Sequence, residues 1–329
     1  MKRIEFILMP LLLLSSCACV APGKGSGFFT DTQSIKVLDW NLETFFDANF
    51  DGDEYTEFSK SSAGWSLQKY DQRLERLGQV IKSVDADVIV MQELEKREQL
   101  YDIFNRVCSN FKISKNYSYG TFCRESDSAI GCAVLSRFPI KRVLTHSIDY
   151  KSRGEQPSMR PLMEVILSVG EKEITVLVNH WKSKSGGAEK SELWRNQQES
   201  LLARQLCCAI EEDRKVFACG DFNRNLNEFK TIKNDSGLID IELRGRKNVL
   251  VQSPWYDIYG NVYPVGSYWY RDAWERIDHY FAPRGTVIWD FKVERGGPWA
   301  SEAGTPVRYY LRDGTGYSDH FPISCCISF

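Results

Sequence analysis

Short apolar runs that each end in polar side chains recur along the 329-residue chain and constrain its fold more than any other feature. The four clearest runs span residues 35–40, 88–91, 174–178 and 216–219. Between them, apolar residues recur at helical spacing over 70–84, and a second helix is predicted over 191–210. Because strands that are apolar throughout are usually covered on both faces, this alternation predicts a single α/β domain over 34–329.

The side chains that follow these runs are mainly amides, carboxylates and imidazoles. They occur at Asn41, Gln92-Glu93, Asn179-His180 and Gly220-Asp221-Phe222-Asn223. Two similar groups flank strand predictions near the C-terminus, Arg276-Ile277-Asp278-His279 and Tyr317-Ser318-Asp319-His320. Strand ends often carry the active site of an α/β protein, because the sheet fixes the side chains while the loops vary. We therefore expect these groups to converge on one site.

The chemistry of this set favours hydrolysis of a phosphate ester. Oxygen donors without thiolate partners, at Asn41, Glu93 and Asp319, suit a hard cation such as Mg²⁺ or Mn²⁺. Two histidines suit proton transfer near neutral pH, and Asn223 offers an uncharged donor to an anionic transition state. The chain has no serine-nucleophile motif, P-loop or glycine-rich dinucleotide fingerprint, which leaves acyl and hydride transfer without their usual groups.

Six segments, taken in order, resemble the motifs of the endonuclease/exonuclease/phosphatase superfamily, which has the fold of pancreatic deoxyribonuclease. They are Trp40-Asn41, Gln92-Glu93, Asn179-His180-Trp181-Lys182-Ser183-Lys184, Gly220-Asp221-Phe222-Asn223, Arg276-Ile277-Asp278-His279 and Ser318-Asp319-His320. The resemblance covers about residues 35–325 and is strongest to bacterial exported nucleases. It implies a four-layered α/β sandwich, in which two mixed sheets pack together with helices outside.

The resemblance also implies how the site handles the metal and the water. Glu93 would be the principal metal ligand, with Asn41 and Asp319 beside it. Asp221 and Asn223 would position or activate the attacking water and bind the scissile phosphate, with a second metal as an option. The group that deprotonates the water stays open between Asp221 and the histidines.

Further implied roles concern the phosphate and the leaving group. His320, oriented by Asp278, would stabilise the phosphate oxygens, and His180 would be the general acid for the leaving oxygen. Arg160 resembles a family arginine near the phosphate, with a surface salt bridge as the alternative. Lys182 and the basic residues after it would contact substrate phosphates or form a solvated face.

One departure from the family pattern concerns the acidic partner of His180. The family often supplies it from the strand before the Leu-Ser-Arg-Phe-Pro segment, where this chain has no carboxylate over 128–137. Glu125, Asp127 or no partner at all are the alternatives. Of the other histidines, we expect His279 to be structural and His146 to lie on the surface.

Two other segments carry open alternatives. Asp47 to Glu54 has the oxygen spacing of a calcium loop, but Phe58 stands where the final glutamate is expected, so Ca²⁺ competes with a solvated acidic loop. Residues 254–274 are rich in tyrosine and tryptophan, which suits base stacking, lipid insertion or, the interpretation we favour, packing in the core.

The N-terminus predicts export. Residues 1–16 have the charged start and short apolar run of a signal peptide, and Leu14-Ser15-Ser16-Cys17 resembles a lipobox. A lipidated Cys17, followed by a flexible spacer over 17–33, would anchor the protein to a membrane; a secreted or periplasmic protein is the alternative. The cysteines beyond this region are expected to be mostly small buried hydrophobic residues.

Three functions remain open at this stage. The first is an exported metal-dependent nuclease with nucleic acid as substrate, favoured by the lysines that follow His180. The second is a lipid phosphodiesterase or phosphatase, sphingomyelinase-like or acting on inositol phosphates. The third is an inactive surface-anchored binding protein. The net charge of −2 gives no global attraction to nucleic acid and leaves a local basic patch as the means of binding. No obligate protein partner is predicted.

Overall fold

A computed structural model describes residues 7–8, 33–110, 116–148, 156–235 and 237–329, without the side chains of 7–8 and 108–110. The predicted signal peptide over 1–16 and the spacer over 17–33, with Cys17, lie almost wholly outside these ranges and stay predictions. Within these ranges no helix is long and apolar enough to cross a membrane.

The described strands run along the whole chain between the helices. In order they are β1 (Ile7–Leu8), β2 (Ser34–Phe45), β3 (Val88–Leu94), β4 (Tyr119–Cys123), β5 (Gly131–Ser136), β6 (Ile140–His146), β7 (Leu162–Val169), β8 (Lys172–His180), β9 (Val216–Asp221), β10 (Lys230–Lys233), β11 (Ile239–Leu243), β12 (Val249–Gln252), β13 (Tyr268–Tyr270), β14 (Ala273–Glu275), β15 (Asp278–Phe281), β16 (Val287–Val293) and β17 (Ile323–Ser328). The helices are α1 (Thr56–Ser59), α2 (Leu67–Val84), α3 (Gln99–Asn110) and α4 (Ala188–Glu211), with single 3₁₀ turns at Ser61–Ala63 and Leu226–Glu228.

Two mixed sheets pack face to face at the centre of the described molecule. One has the strand order β1-β4-β5-β3-β2-β17-β16 and the other β15-β9-β8-β7-β6. Only the β2–β3 and β8–β9 pairs within them are parallel. Strands β2 and β3 pack on β9, and the residues between the sheets form one apolar core. The arrangement confirms the four-layered sandwich.

The helices form the outer layers because each buries one apolar face. Helix α2 begins at Ser66, whose side chain accepts a hydrogen bond from the Lys69 amide, and ends at Asp85 in a left-handed conformation. It packs against α3, and Arg73 reaches from it to the main chain of β2. On the opposite side, α4 packs against β7 and β9. Both helices extend slightly beyond the predicted ranges.

The cysteines whose side chains are described all carry free thiols. Cys123, Cys132, Cys219 and Cys325 are buried, which agrees with the expectation that most of them act as small apolar residues.

Candidate active site

Irregular backbone at the ends of β2 and β3 creates the first half of the site. The β2–β3 ladder is interrupted after Asn41, and the β3–β5 ladder is interrupted at Glu93. Glu93 has a φ of 69°, and Glu43 and Thr44 have φ values of 53° and 48°. Non-glycine residues avoid this left-handed region, so three of them at one sheet edge mark a strained segment of the kind found at functional sites.

These irregular strand ends bring Asn41 and Glu93 together. The Asn41 Nδ2 donates to Glu93 Oε1 at 3.3 Å and to Asp221 Oδ2 at 3.0 Å, which links the two sheets. Its Oδ1 accepts the Glu43 amide at 3.0 Å, which uses one of the two lone pairs of this oxygen. Glu93 Oε2 accepts the Thr44 amide at 2.6 Å.

Strand register supplies the second half of the site. His180 on β8 lies opposite Asp221 on β9, and Asp221 lies opposite Asp278 on β15. The three side chains therefore stand at one end of three adjacent strands, as expected for polar groups at strand ends. Gly220 is required next to them, because its φ is 135° and an added Cβ would lie 1.9 Å from the Asn179 carbonyl oxygen.

The C-terminal segment adds His320 and Asp319. His320 Nδ1 lies 2.8 Å from Asp278 Oδ2, and the main-chain oxygen of His320 accepts a hydrogen bond from Trp40 Nε1. The ligand atoms of Asp221, Asp278 and His320 lie within 4.8 Å of one another. Asp319 Oδ1 is 3.9 Å from His320 Nε2.

His180 faces both carboxylates of the cleft. Its Nε2 lies 3.7 Å from Glu93 Oε1 and 3.7 Å from Asp221 Oδ2. Its Nδ1 is buried and has no hydrogen-bond partner among the described residues. Glu125 and Asp127 accept hydrogen bonds from serines elsewhere, so the structure does not place either of them as the acidic partner of His180.

The two imidazoles have opposite charge preferences. Burial lowers the pKa of His180 well below its ordinary value, and the nearby positive charges of Arg160 and His320 lower it further. Burial would also lower the pKa of His320, but the charge of Asp278 and its hydrogen bond outweigh that effect and raise the pKa well above its ordinary value. Near neutral pH, His180 is therefore neutral and His320 is protonated.

Two carboxyl groups of the cleft titrate near neutrality. Burial raises the pKa of Asp221 to about 7, partly opposed by the charge of His320. Burial likewise raises the pKa of Asp319 to about 7, and the charge of His320 partly opposes this rise as well. Asp221 accepts hydrogen bonds from the Asn223 amide at 2.8 Å and from Asn223 Nδ2 at 3.0 Å, which fix its orientation.

The donor set of the cleft fits a hard divalent cation. Glu93 lies beside His180, Asp319 beside His320 and Asn41 beside Asp221, so the cleft offers carboxylate and amide groups. Asp278 Oδ1 is buried and has no hydrogen-bond partner among the described residues. Burial raises the pKa of Asp221 and Asp319, neighbouring carboxylates raise it further, and a bound cation would stabilise the charged forms of both groups.

Arg160 and Lys182 lie on the His180 side of the cleft. Both are half-buried, and the charge of Arg160 lowers the pKa of His180 and of Lys182. Among the described residues Arg160 forms no ion pair with a carboxylate. Of the later basic residues, Lys184 pairs with Glu228, and Arg195 is buried and bonds main-chain oxygens of its own helix and of Lys182.

The remaining histidines are structural. His279 is fully buried, and its Nε2 lies 2.9 Å from the carbonyl oxygen of Arg224, as expected. The prediction that His146 is a surface residue is wrong. It is half-buried, and its Nε2 lies 2.8 Å from Glu164, which also binds Arg214.

The acidic loop after Asp47 is held by basic side chains. The Lys96 ammonium lies 2.8 Å from Asp47 and 2.5 Å from Asp51, between the two carboxylates that calcium would need. Arg124 pairs with Asp53. Among the described residues the loop therefore lacks a converging set of free oxygen ligands, and the structure favours the ion-paired loop over the calcium site.

The aromatic segment divides into two parts. Trp255 is fully buried and donates to the Asp278 carbonyl oxygen at 2.9 Å, and Trp274 stacks on the buried Phe321, so these residues pack in the core as expected. Tyr268 and Tyr270 differ, because they face the cleft.

Comparison with known proteins decides the family. The sequence model described as Endonuclease/Exonuclease/phosphatase family matches residues 36–328. The chain belongs to the endonuclease/exonuclease/phosphatase family. Members of this family are generally metal-dependent hydrolases of phosphodiester bonds. No curated protein matches the chain in sequence.

Solved structures show the same family fold. Truncated TDP2 of Caenorhabditis elegans aligns with a TM-score of 0.56 and 15% identity, over 89% of this chain and 97% of that chain. The human Nocturnin catalytic domain with bound sulfate aligns with a TM-score of 0.56 and 17% identity, over 91% of this chain and 96% of that chain. D. rerio TDP2 complexed with single-strand DNA product aligns with a TM-score of 0.53 and 16% identity, over 89% of this chain and 98% of that chain. At this identity the likeness concerns the fold alone.

Sequence reasoning missed one buried residue beneath this family site. Asp39 lies in β2, accepts a hydrogen bond from Gln92 Nε2 at 2.7 Å and is fully buried. Burial and the charge of Asp278 raise its pKa well above the ordinary value. An acidic residue inside an apolar strand was the available signal.

Proposed function

We propose that this family member is an exported, divalent-metal-dependent nuclease that hydrolyses phosphodiester bonds of nucleic acid. One observation carries the proposal: Glu93, His180, Asp221 and His320 line one cleft although they come from four distant parts of the chain. The family supplies the reaction class, and the TDP2 structure with a single-strand DNA product supports nucleic acid as substrate.

Glu93, Asp319 and Asn41 would hold Mg²⁺ or Mn²⁺ in this cleft. When bound, the cation supplies charge stabilisation for the phosphate oxygens and lowers the pKa of a nearby water. The protonated His320 donates to a phosphate oxygen from an orientation that Asp278 fixes, and Asn223 is an additional uncharged donor. Arg160 and Lys182 would bind the phosphate from the His180 side.

Asp221 is the proposed general base. Its pKa of about 7 is close to the operating pH, where a carboxylate is both available and basic enough to accept a proton from water. Asn41 and Asn223 hold this carboxylate in place. His180 is neutral in the free protein; a bound phosphodiester anion raises its pKa, so that the imidazolium can protonate the leaving oxygen.

Hydrolysis of several substrates tests the nuclease. We expect cleavage of single-stranded oligonucleotides or plasmid DNA with Mg²⁺ or Mn²⁺, and none in EDTA or with His320→Ala. Sphingomyelin and inositol phosphates assayed in parallel test the lipid alternative. Hydrolysis of sphingomyelin or of inositol phosphates without cleavage of DNA or RNA would contradict the proposal. If no substrate is hydrolysed, the inactive binding protein would be favoured.

Export and the lipid anchor are separate proposals, supported by the N-terminal sequence. We expect mature protein from a bacterial host to begin at Cys17 and to carry acyl chains. Intact mass spectrometry of the N-terminal peptide measures this. An unmodified N-terminus downstream of Cys17 would leave export in place but remove the anchor.

A further inference from the structure

The hairpin formed by β13 and β14 has two different aromatic faces. Trp269 pairs directly with Trp274 across the ladder, and Tyr268 and Tyr270 lie on the other face because side chains alternate along a strand. The two tryptophan rings meet edge to face at 4.8 Å, and Trp274 stacks on the buried Phe321. The tryptophan face therefore packs against the core and leaves the tyrosine face for the cleft.

The tyrosine face forms a short ladder of rings that ends at His320. Tyr270 and Tyr268 stack with centroids 6.1 Å apart and planes 19° apart. The Tyr268 ring lies 4.8 Å from the His320 ring. Tyr268 is half-buried, whereas Tyr270 is 45% exposed. The ladder therefore leads from solvent to the imidazole that Asp278 orients.

The tip of the hairpin is charged. Arg271 and Asp272 form the two-residue turn, with φ values of 47° and 60°, as a type I′ turn requires. Both are exposed, and the Arg271 guanidinium lies 5.0 Å from the centre of the Tyr270 ring. A tip that carries a carboxylate and a guanidinium resists insertion into lipid, because both charges would have to be buried. The same tip suits a ligand with aromatic bases and phosphates.

We propose that Tyr268 and Tyr270 form a stacking platform for an unpaired nucleobase beside the cleavage centre, with Arg271 contributing a cation next to it. The inference rests on the proposed nuclease function and narrows its substrate class to single-stranded nucleic acid. Bases in a duplex hide their faces in the helical stack, whereas an unpaired base offers a free ring face to an aromatic side chain.

Binding of two oligonucleotides without cleavage tests the platform. Fluorescence anisotropy in EDTA compares a short oligothymidylate with an abasic backbone of equal length and charge. We expect Tyr270→Ala to weaken binding of the oligothymidylate by about tenfold, the usual effect of losing one stacked base, and to leave the abasic strand unaffected. Tyr270→Phe should restore wild-type binding, because it keeps the ring.

Tyr101→Ala is the matched control, since Tyr101 lies on α3 and is 42% exposed. It should bind both oligonucleotides as the wild type does. Equal affinity of Tyr270→Ala and wild type for oligothymidylate, or equal losses on both strands, would overturn the platform. The platform would also be overturned if Tyr270→Ala lost binding to sphingomyelin vesicles but kept oligonucleotide binding, a result that would indicate a lipid-binding surface.

Hydrolysis of bis(4-nitrophenyl) phosphate by the wild type separates this proposal from the proposed function. That substrate reports the metal centre without any nucleobase. If it is not hydrolysed, the nuclease fails while the binding comparison still decides the platform. If it is hydrolysed and Tyr270→Ala binds oligothymidylate normally, the platform alone fails.

Discussion

Asp278 Oδ2 lies 2.8 Å from His320 Nδ1, and both side chains are almost completely buried. This contact outweighs the effect of burial and keeps the imidazole protonated. We expect Asp278→Asn to lower the pKa of His320, so that the alkaline limb of the rate profile moves to lower pH. Turnover should fall by roughly 10- to 1,000-fold, as for lost electrostatic stabilisation. A pH–rate series checks this, and an unchanged alkaline limb would argue against the role of His320.

His180 should be essential for turnover but not for folding. We expect His180→Ala to reduce kcat by at least about 100-fold, the usual contribution of proton transfer by a positioned side chain. Because His180 is buried, its truncation leaves a cavity, so the thermal midpoint should fall while the variant still folds. Single-turnover kinetics and differential scanning fluorimetry measure the two effects. Normal kcat in the variant would remove His180 from the mechanism.

Arg160 should influence both substrate binding and the pKa of His180. Burial is the larger cause of the low pKa of His180, and the Arg160 charge adds to it. We expect Arg160→Ala to raise KM and to raise this pKa toward its ordinary value. Because His180 acts as the general acid, the alkaline limb that it sets should then move to higher pH. Arg160→Lys keeps the charge and should keep this limb in place. A shift of equal size in the lysine variant would contradict the electrostatic explanation.

Metal binding can be followed without catalysis. A cation that binds only the folded protein raises the unfolding midpoint as its concentration increases. We expect Mg²⁺ or Mn²⁺ to stabilise the wild type, and Glu93→Gln to need roughly tenfold or more metal for the same shift, a loss of about 1.4 kcal/mol in binding. Thermal unfolding across a metal titration measures this. Identical titrations for both proteins would exclude Glu93 as a ligand.

The Glu164 cluster should stabilise the fold in a pH-dependent way. Burial would raise the pKa of Glu164, but hydrogen bonds from His146 and Arg214 lower it below its ordinary value. The Glu164 carboxylate therefore stabilises the fold above the pKa that it has in the unfolded chain. This stabilisation is lost as pH falls through the pKa that it has in the folded protein. We expect Glu164→Gln to cost about 1–3 kcal/mol of unfolding free energy near neutral pH and to flatten the acidic slope.

Urea unfolding at several pH values measures this effect. Glu173→Gln is the control, because Glu173 pairs with Lys141 on the surface, where both side chains are about half exposed. Such exposed pairs contribute little. Equal destabilisation by the two substitutions would show that the Glu164 cluster stabilises the fold no more than an exposed ion pair does.

The strand and helix patterns predicted one α/β domain and polar groups meeting at strand ends, because these signals are local. The sandwich itself was implied by the family resemblance of the ordered motifs. The run at 88–91 lies within β3, and Asn41, Glu93 and Asp221 meet as expected. The predicted first strand, however, stops at Trp40, whereas β2 continues to Phe45 through an irregular segment. Irregular backbone with positive φ has no simple pattern when the residues are not glycine.

Long-range packing explains the other differences. Arg195 follows the histidine motif as a substrate-binding residue would, yet its helix turns it inward to main-chain oxygens. His146 is half-buried in the Glu164 cluster, which forms only when β6 and β7 pair. Tyr268 and Trp269 are adjacent in an aromatic segment, and only the register of the hairpin separates the cleft face from the core face.

The hydrogen bond from Asn41 to Asp221 joins the two sheets, and Asn41 also bonds Glu93 within its own sheet. Each half of the sandwich thus carries an incomplete set of reactive groups, and competence arises only once the halves have docked. A chain that has not finished folding would therefore lack a complete site. Docking of the two sheets is therefore a requirement for the reaction as well as the support of its side chains.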